Sequence, residues 1–365
     1  VSGEYLLWWV KNGPLSVPLI TTGPFPAPPG VSPGVLGQPG TALVYGLTGI
    51  DYHTFSGVRV TAGCWLDPDQ TVGFEGRGFL LEHRTNQFSA ASDAAGNPVL
   101  ALPNTFNGMP ERFTVSEADR RSGSVDVPST SRLWGAEANA LLSLCRDGSL
   151  HACALAGFRY LDLQEGLGVD SFSTALNNAL PTDTVVFLAQ PIRPPGSVLV
   201  NDQFDTRNHF YGGQIGGRVD YTAGKLFGSL AVKVGLGDTH EVISNTGTTT
   251  LIVPGQPNFT VNGGRLVGPS NAGHFSQDAF SVVPEVEVGV GCRLTDHIRA
   301  LVGYNFLYWT DVVRPGNQID QTIDARQVPT SIVFTSGFVG TAPTVPFRKS
   351  DFWAQGINFA LELAF

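Results

Sequence analysis

Val286-Glu287-Val288-Gly289-Val290-Gly291-Cys292-Arg293-Leu294 runs into Thr295-Asp296-His297 and returns as Ala300-Leu301-Val302-Gly303-Tyr304-Asn305-Phe306-Leu307-Tyr308. Every second residue is apolar: Val286, Val288, Val290, Cys292 and Leu294 on the way in, Ala300, Val302, Tyr304, Phe306 and Tyr308 on the way back. Between them lie Glu285, Glu287, Gly289, Gly291, Gly303 and Asn305. Successive side chains of a strand leave opposite faces, so this hairpin has one apolar face and one face of charge and glycine. Alternating segments of roughly ten residues, joined in pairs by very short turns, are the sequence mark of a transmembrane β-barrel.

Three more pairs repeat the pattern. Around Leu66-Asp67-Pro68-Asp69-Gln70, Val58, Val60, Ala62, Cys64, Leu66, Val72, Phe74 and Leu80 face one way, and Arg59, Thr61, Glu75 and Arg77 the other. Around Arg146-Asp147-Gly148-Ser149, Trp134 to Leu144 and Ala152 to Tyr160 alternate with Gly135, Glu137, Asn139 and Ser143. Around Thr222-Ala223-Gly224-Lys225, Ile215, Val219, Tyr221, Leu230, Val232 and Leu236 oppose Gln214, Arg218, Asp220, Ser229 and Lys233. The last segment sets Trp353, Ile357, Phe359, Leu361, Leu363 and Phe365 against Gly356, Asn358, Ala360 and Glu362. With the opening segment Gly3 to Trp9 this predicts an all-β, up-and-down antiparallel barrel of about ten strands, residues 1–365 forming one outer-membrane domain.

The other connections are long: residues 11–53, 85–130, 164–205, 241–280 and 313–350. Short turns on one rim and long loops on the other are the periplasmic and extracellular ends of such a barrel. Thr184 to Ala189 and Thr248 to Val253 look like further strands, which leaves a twelve-strand barrel open. A soluble β-sandwich also alternates. Against it stand the glycine-lined polar face, the long loops at alternate connections, and Tyr5, Trp9, Trp134, Tyr221, Tyr308 and Trp353 near segment ends, where an interfacial girdle sits.

Composition agrees. The chain is 42% hydrophobic and 15% charged, with 44 glycines and 25 prolines. A mid-helix glycine costs about 1 kcal/mol and a proline about 3, so helical domains are excluded. No run of about 18 apolar residues offers a transmembrane helix. A net charge of -9 gives nucleic acid no basic surface to bind. The chain opens on a strand without a signal core, so a signal peptide is expected to have been removed.

Cys64, Cys145, Cys153 and Cys292 lack metal-ligand spacing and are read as free thiols. Cys145 and Cys153 flank one turn and, sharing a face, could also pair in an oxidising compartment. His53, His83, His209 and His240 map near the long-loop rim, with Asp51 and Asp238 each two residues from a histidine. Such a group could bind metal or move protons if it converged. Same-rim histidines scattered around a barrel are solvated, no nucleophile motif accompanies them, and no nucleotide-binding glycine loop is present. No cofactor, metal or catalytic residue is therefore expected.

Four stretches carry a family resemblance: Glu4-Tyr5-Leu6-Leu7-Trp8-Trp9, Gly157-Phe158-Arg159-Tyr160-Leu161-Asp162, Gly303 to Asp320 with Tyr308-Trp309-Thr310-Asp311-Val312-Val313-Arg314-Pro315-Gly316-Asn317 at its centre, and Phe352-Trp353-Ala354-Gln355-Gly356-Ile357-Asn358-Phe359. Together they resemble the bacterial family of putative outer-membrane β-barrel porins, group seven. The resemblance spans the chain and implies a porin-like barrel in a Gram-negative-type envelope. The last residues also resemble the assembly signal of outer-membrane barrels. Asn358, Leu363 and Phe365 fit it, and Ala360 stands where glycine is usual. A terminal aromatic on an unpaired edge is what an assembly machinery would grip.

The inward face collects Arg59, Arg77, Arg159, Arg218, Lys233 and Arg293 with Glu75, Glu137, Asp220, Glu285, Glu287 and Glu362. In a bore of about ten strands, long side chains of opposite sign meet and fill the space. Glu137 and Arg159 should pair across their hairpin. The expectation is a structural or surface-interaction barrel with a charge-filled narrow lumen. Its partners are the lipid bilayer, the outer-membrane assembly machinery and surface-layer or cell-wall components. The alternatives, in order, are a narrow porin for small polar solutes and an outer-membrane enzyme.

Overall fold

Each alternating pair folds as an antiparallel hairpin, and the hairpins join edge to edge. The computed structural model describes residues 1–176 and 185–363. In chain order the strands are β1 (Ser2–Val10), β2 (Pro18–Thr22), β3 (Ala42–Gly46), β4 (Thr54–Trp65), β5 (Val72–Leu81), β6 (Arg84–Ala91), β7 (Leu100–Phe106), β8 (Met109–Ser116) and β9 (Arg121–Asp147). They continue as β10 (Leu150–Ala175), β11 (Val186–Phe187), β12 (Gln190–Pro191), β13 (Ser197–Ala223), β14 (Leu226–Ile252), β15 (Phe259–Asn262), β16 (Gly273–Arg293), β17 (Ile298–Val313) and β18 (Lys349–Leu363).

Ten of them close a ring in the order β10, β13, β14, β16, β17, β18, β1, β4, β5 and β9, with β9 pairing back onto β10. First and last wall strands meet in full register, from Ser2 opposite Glu362 to Val10 opposite Ala354, so the ring leaves no free edge there. The two-residue turns Gly148-Ser149 and Gly224-Lys225 each start on a glycine at positive φ, 41° and 65°, which suits a tight hairpin turn.

The wall is uneven. β9, β10, β13, β14 and β16 run 21 to 27 residues, whereas β17, β18, β1, β4 and β5 run 9 to 16. β6 continues the wall above β5 by pairing with β9 from Arg84 to Ala91. Parts of the stretches 85–130, 164–205 and 241–280, expected as loops, are therefore raised wall: 85–91 and 121–130, 164–175 and 197–205, and 241–252 and 273–280. Alternation persists in them, but the faces exchange character: Leu161, Leu163, Leu167 and Val169 point inward and are buried. A pattern sought as apolar-out simply ends there.

Among the described residues the ring holds ten strands, not twelve. Thr248 to Ile252 is the top of β14, and among the described residues Val186–Phe187 pairs only with Gln190–Pro191. Thr184 lies outside the described residues.

Connections from the short side fold over the opening. β2, β3, β7 and β8 form a small sheet in the order β3, β2, β7, β8, joined by the 314–348 segment with its two 3-10 turns. Leu19, Ile20, Leu100, Leu102 and Val115 of this lid, with Ile319, Ile323 and Val328, bury against Val125, Val127, Leu163, Leu167, Val169 and Phe204 of the raised wall. The lid gives the raised wall its inner apolar partner.

Candidate functional site

Strand phase places the inner side chains. On β1, Glu4, Leu6 and Trp8 face in while Tyr5 and Trp9 are exposed on the outer surface. The same phase turns Arg59, Glu75, Arg77, Glu137, Arg159, Arg218, Lys233, Glu285 and Glu287 into the bore. Inner glycines make room: a Cβ at Gly157 would lie 2.0 Å from the Ala138 carbonyl oxygen.

These ten charges, five of each sign, form one network. Arg59 reaches Glu4 at 2.5 Å and Glu287 at 3.5 Å. Arg77 bonds Glu287 and lies 3.7 Å from Glu137 and 4.0 Å from Glu75. Arg218 grips Glu75 with two bonds of 2.8 Å. Arg159 donates to Glu137 at 2.6 Å across their hairpin and to Glu285 across the bore. Lys233 Nζ meets Glu137 at 2.9 Å, Glu285 at 2.9 Å and Glu287 at 2.8 Å.

Gln214 donates to Glu137 at 3.1 Å and Asn305 to Glu285 at 2.8 Å, fixing the carboxylates further. Arg159, Lys233, Glu137 and Glu285 side chains are at most 5% exposed. Burial at this level is affordable only because each charge has partners on more than one strand.

Three expected members lie elsewhere. Asp220, Arg293 and Glu362 sit near the short-turn rim, where the bore opens. Asp220 is half-buried opposite His151, Arg293 is exposed, and Glu362 lies 3.8 Å from the half-exposed Arg299. Their strand phase is inward, but their height puts them in water. Glu4 joins the network without belonging to the expected set, and its phase with Leu6 and Trp8 marks it as inward.

Above the charges the bore turns apolar. Leu6, Trp8, Phe55, Leu81, Leu161, Phe210, Leu307, Trp309 and Phe352 fill it, all buried. Trp8 Nε1 donates to Asn358 Oδ1 at 2.8 Å and Trp309 Nε1 to Thr239 Oγ1 at 2.9 Å, so neither indole is left unpaired. Still higher, Arg314 forms a two-bond pair with Glu165 at 2.7 and 2.6 Å, both side chains 0% exposed. Its Nη1 also donates to the carbonyls of Lys11 and Asn12, tying the 314–348 segment to the end of β1. Burial works against the Arg314 charge, and the Glu165 carboxylate more than offsets it, raising the guanidinium pKa.

The remaining candidates disperse. Leu144 has no cross-strand partner, so Cys145 pairs with outward Ala152 while Cys153 pairs with Ser143 and is buried. The two cysteines thus leave opposite faces, and all four thiols are free. His53 lies 3.3 Å from Asp51 in an exposed loop, and His83 is exposed on another. His209 and His240 are cross-strand neighbours on the outer wall, His209 at 3.1 Å from Asp162 and His240 at 2.7 Å from Asp278, while Asp238 is exposed. The four histidines do not converge. Among the described residues no three His, Cys, Asp or Glu side chains could hold a metal ion together.

On the closing strand, Asn358 and Ala360 point inward and Leu363 outward, while Phe365 lies outside the described residues.

A model of the family described as putative beta barrel porin-7 matches residues 1–365. Comparison with curated proteins gives no match. Among solved structures, the outer membrane protease OmpT of Escherichia coli is similar at a TM-score of 0.40 and 7% identity, over 100% of this chain and 96% of that one. The toluene transporter TodX of P. putida is similar at a TM-score of 0.21 and 7% identity, over 100% and 90%.

Proposed function

The chain belongs to the putative beta barrel porin-7 family, and we propose that it is an outer-membrane barrel closed to solutes, acting as a structural or surface-interaction protein. The observation that carries this reading is the lumen: at the level of the lipid-facing wall it is crossed by five cations and five carboxylates bonded strand to strand. A solute would have to break several buried ion pairs at once, and each broken pair strands a charge. The apolar layer and the lid above add a second barrier.

In this reading the barrel is an anchor. Its raised wall and lid face the exterior and meet surface-layer or cell-wall components, and the C-terminal sequence signal with Asn358, Ala360, Leu363 and Phe365 is what the assembly machinery engages before the ring closes. We assign it no catalytic activity. Planar-bilayer recording of the folded protein tests the reading. A silent membrane is expected, and discrete conductance steps from the unaltered chain would overturn it in favour of a narrow porin.

A further inference from the structure

A cavity of about 330 Å3 lies where the lid meets the raised wall, between β7, β8, the start of β9, the 263–267 turn and the 323–333 segment. It stands clear of the lumen charges. One part of its lining is apolar, with Phe113, Val186 and Ile323. The other carries Arg265, Asn104 and Thr330.

Those three polar side chains are left over from the fold's own hydrogen bonding. Arg265 is 3% exposed, yet its Nε and Nη1 have no partner among the described residues. The same holds for Asn104 Nδ2 and Thr330 Oγ1. Buried donors without acceptors are uncommon in folded proteins and ask for an explanation. The surrounding charge makes the case sharper. Arg112 and Arg121 also line the cavity, and among the described residues Glu111 is the one acidic member of the lining, while Arg112 is turned toward Glu117 at 3.2 Å. Burial pulls the Arg265 guanidinium down to about 10, and the positive Arg121 nearby adds to the effect, so it is still charged at neutral pH.

Arg265 is also held in place. Asp202, inward on β13, accepts the backbone N–H groups of Arg265 at 3.0 Å, Leu266 at 3.1 Å and Val267 at 2.7 Å. A Cβ on Gly264 would stand 1.9 Å from Asp202 Oδ1, so the turn closes only with glycine there. Asp202 thus fixes the turn, its oxygens engaged by backbone, and among the described residues the guanidinium makes no salt bridge. A positioned guanidinium with Nε and Nη1 lacking a hydrogen-bond partner among the described residues, beside two spare neutral donors, is a receptor for an anion. The apolar half of the lining suits an attached hydrophobic body, and the volume is at the small end of the roughly 300–1,000 Å3 range of small-molecule sites.

We propose that this cavity binds a small organic anion, a carboxylate with an apolar or aromatic body, its oxygens on Arg265, Asn104 and Thr330 and its body against Phe113, Val186 and Ile323. The site stands whether or not the lumen conducts.

Isothermal titration of the folded full chain in detergent micelles, with benzoate as the probe, tests it. Saturable one-to-one binding is expected. Arg265→Met, folded as judged by heat-modifiable gel mobility, should weaken it about tenfold or more, the scale of a lost charge-assisted pair. Thr330→Val, a milder change on the cavity wall, should weaken it about threefold to tenfold. Benzyl alcohol and inorganic phosphate should each bind at least about tenfold more weakly than benzoate. No saturable benzoate binding, or full affinity in either folded variant, would overturn the proposal. Benzyl alcohol binding as tightly would remove the anion, and phosphate binding as tightly would remove the apolar body.

Discussion

The lower and upper parts of the same strands are built to opposite rules. Along β10, Phe158 and Tyr160 face out with Arg159 inside, whereas a few residues later Gln164 is exposed outside and Leu161, Leu163 and Leu167 are buried inside. Along β13 the order is mirrored: Tyr221, Val219, Ile215 and Tyr211 outside, then Arg207 and Asp205. Inside it, Arg218 and Gln214 give way to Phe210, Phe204, Val200 and Val198. The change falls at an aromatic row, where Trp134, Tyr160 and Tyr211 pack at tilted angles on the outer wall with centroids 5.0 and 5.1 Å apart. Below that row the outside solvent is lipid and the inside must hold charge; above it the outside is water and the inside is the lid. Strand phase never changes, only what each face meets.

Removing one member of the lower network should do the most damage. Glu137→Ala takes one carboxylate from Arg159, Lys233 and Arg77 and leaves the buried network one positive charge in excess, and a loss of about 3–5 kcal/mol in urea unfolding, or failure to assemble, is expected. A neutral result would mean that water already solvates the bore. The exchange of faces is tested directly by placing one charge on each side of the aromatic row. Phe158→Arg should cost about 2–4 kcal/mol in vesicles, and Gln164→Arg on the same outer face close to nothing. Equal costs would place the lipid boundary higher than Tyr160.

In the upper part, burial raises the Asp202 carboxyl to about 6, although the N–H groups of Val267, Arg265 and Leu266 pull the other way. A carboxyl raised on folding contributes stability that is complete below its unfolded pKa, near 3.8, and is lost as pH climbs through about 6. The contribution is on the order of 3 kcal/mol. Asp202→Asn should therefore flatten the stability profile between those values relative to the parent chain, measured as thermal midpoints across pH. An unchanged slope would show the carboxylate to be hydrated. At the short-turn rim the smallest effect is expected: Arg299→Ala breaks a half-exposed contact of 3.8 Å with Glu362 and should cost under about 1 kcal/mol.

The lower wall was legible residue by residue because one physical contrast, lipid against a packed polar bore, writes itself into period two. Val286 to Tyr308 and Trp353 to Leu363 carry that contrast, and so does the pairing of Glu137 with Arg159 across one hairpin. The upper wall was not, because its outer face is polar and its inner apolar face has a partner far away in sequence: Val115 and Leu102 on the lid, Val125 and Phe204 on the wall. Height was also hidden. Phase said that Asp220, Arg293 and Glu362 point inward, and only the assembled ring showed them at the open rim rather than among the buried charges.

By itself, then, the sequence determined the barrel, its lipid-facing surface and the sign balance inside, since each follows from alternation within a strand. The tertiary structure alone decided which charges meet, since Arg159 with Glu285 and Arg77 with Glu287 join strands on different sides of the bore. It alone brought Asp202, Arg265, Asn104 and Thr330 around one cavity. Closing a ring and folding a lid set distances between residues far apart in the chain, and no local pattern records them.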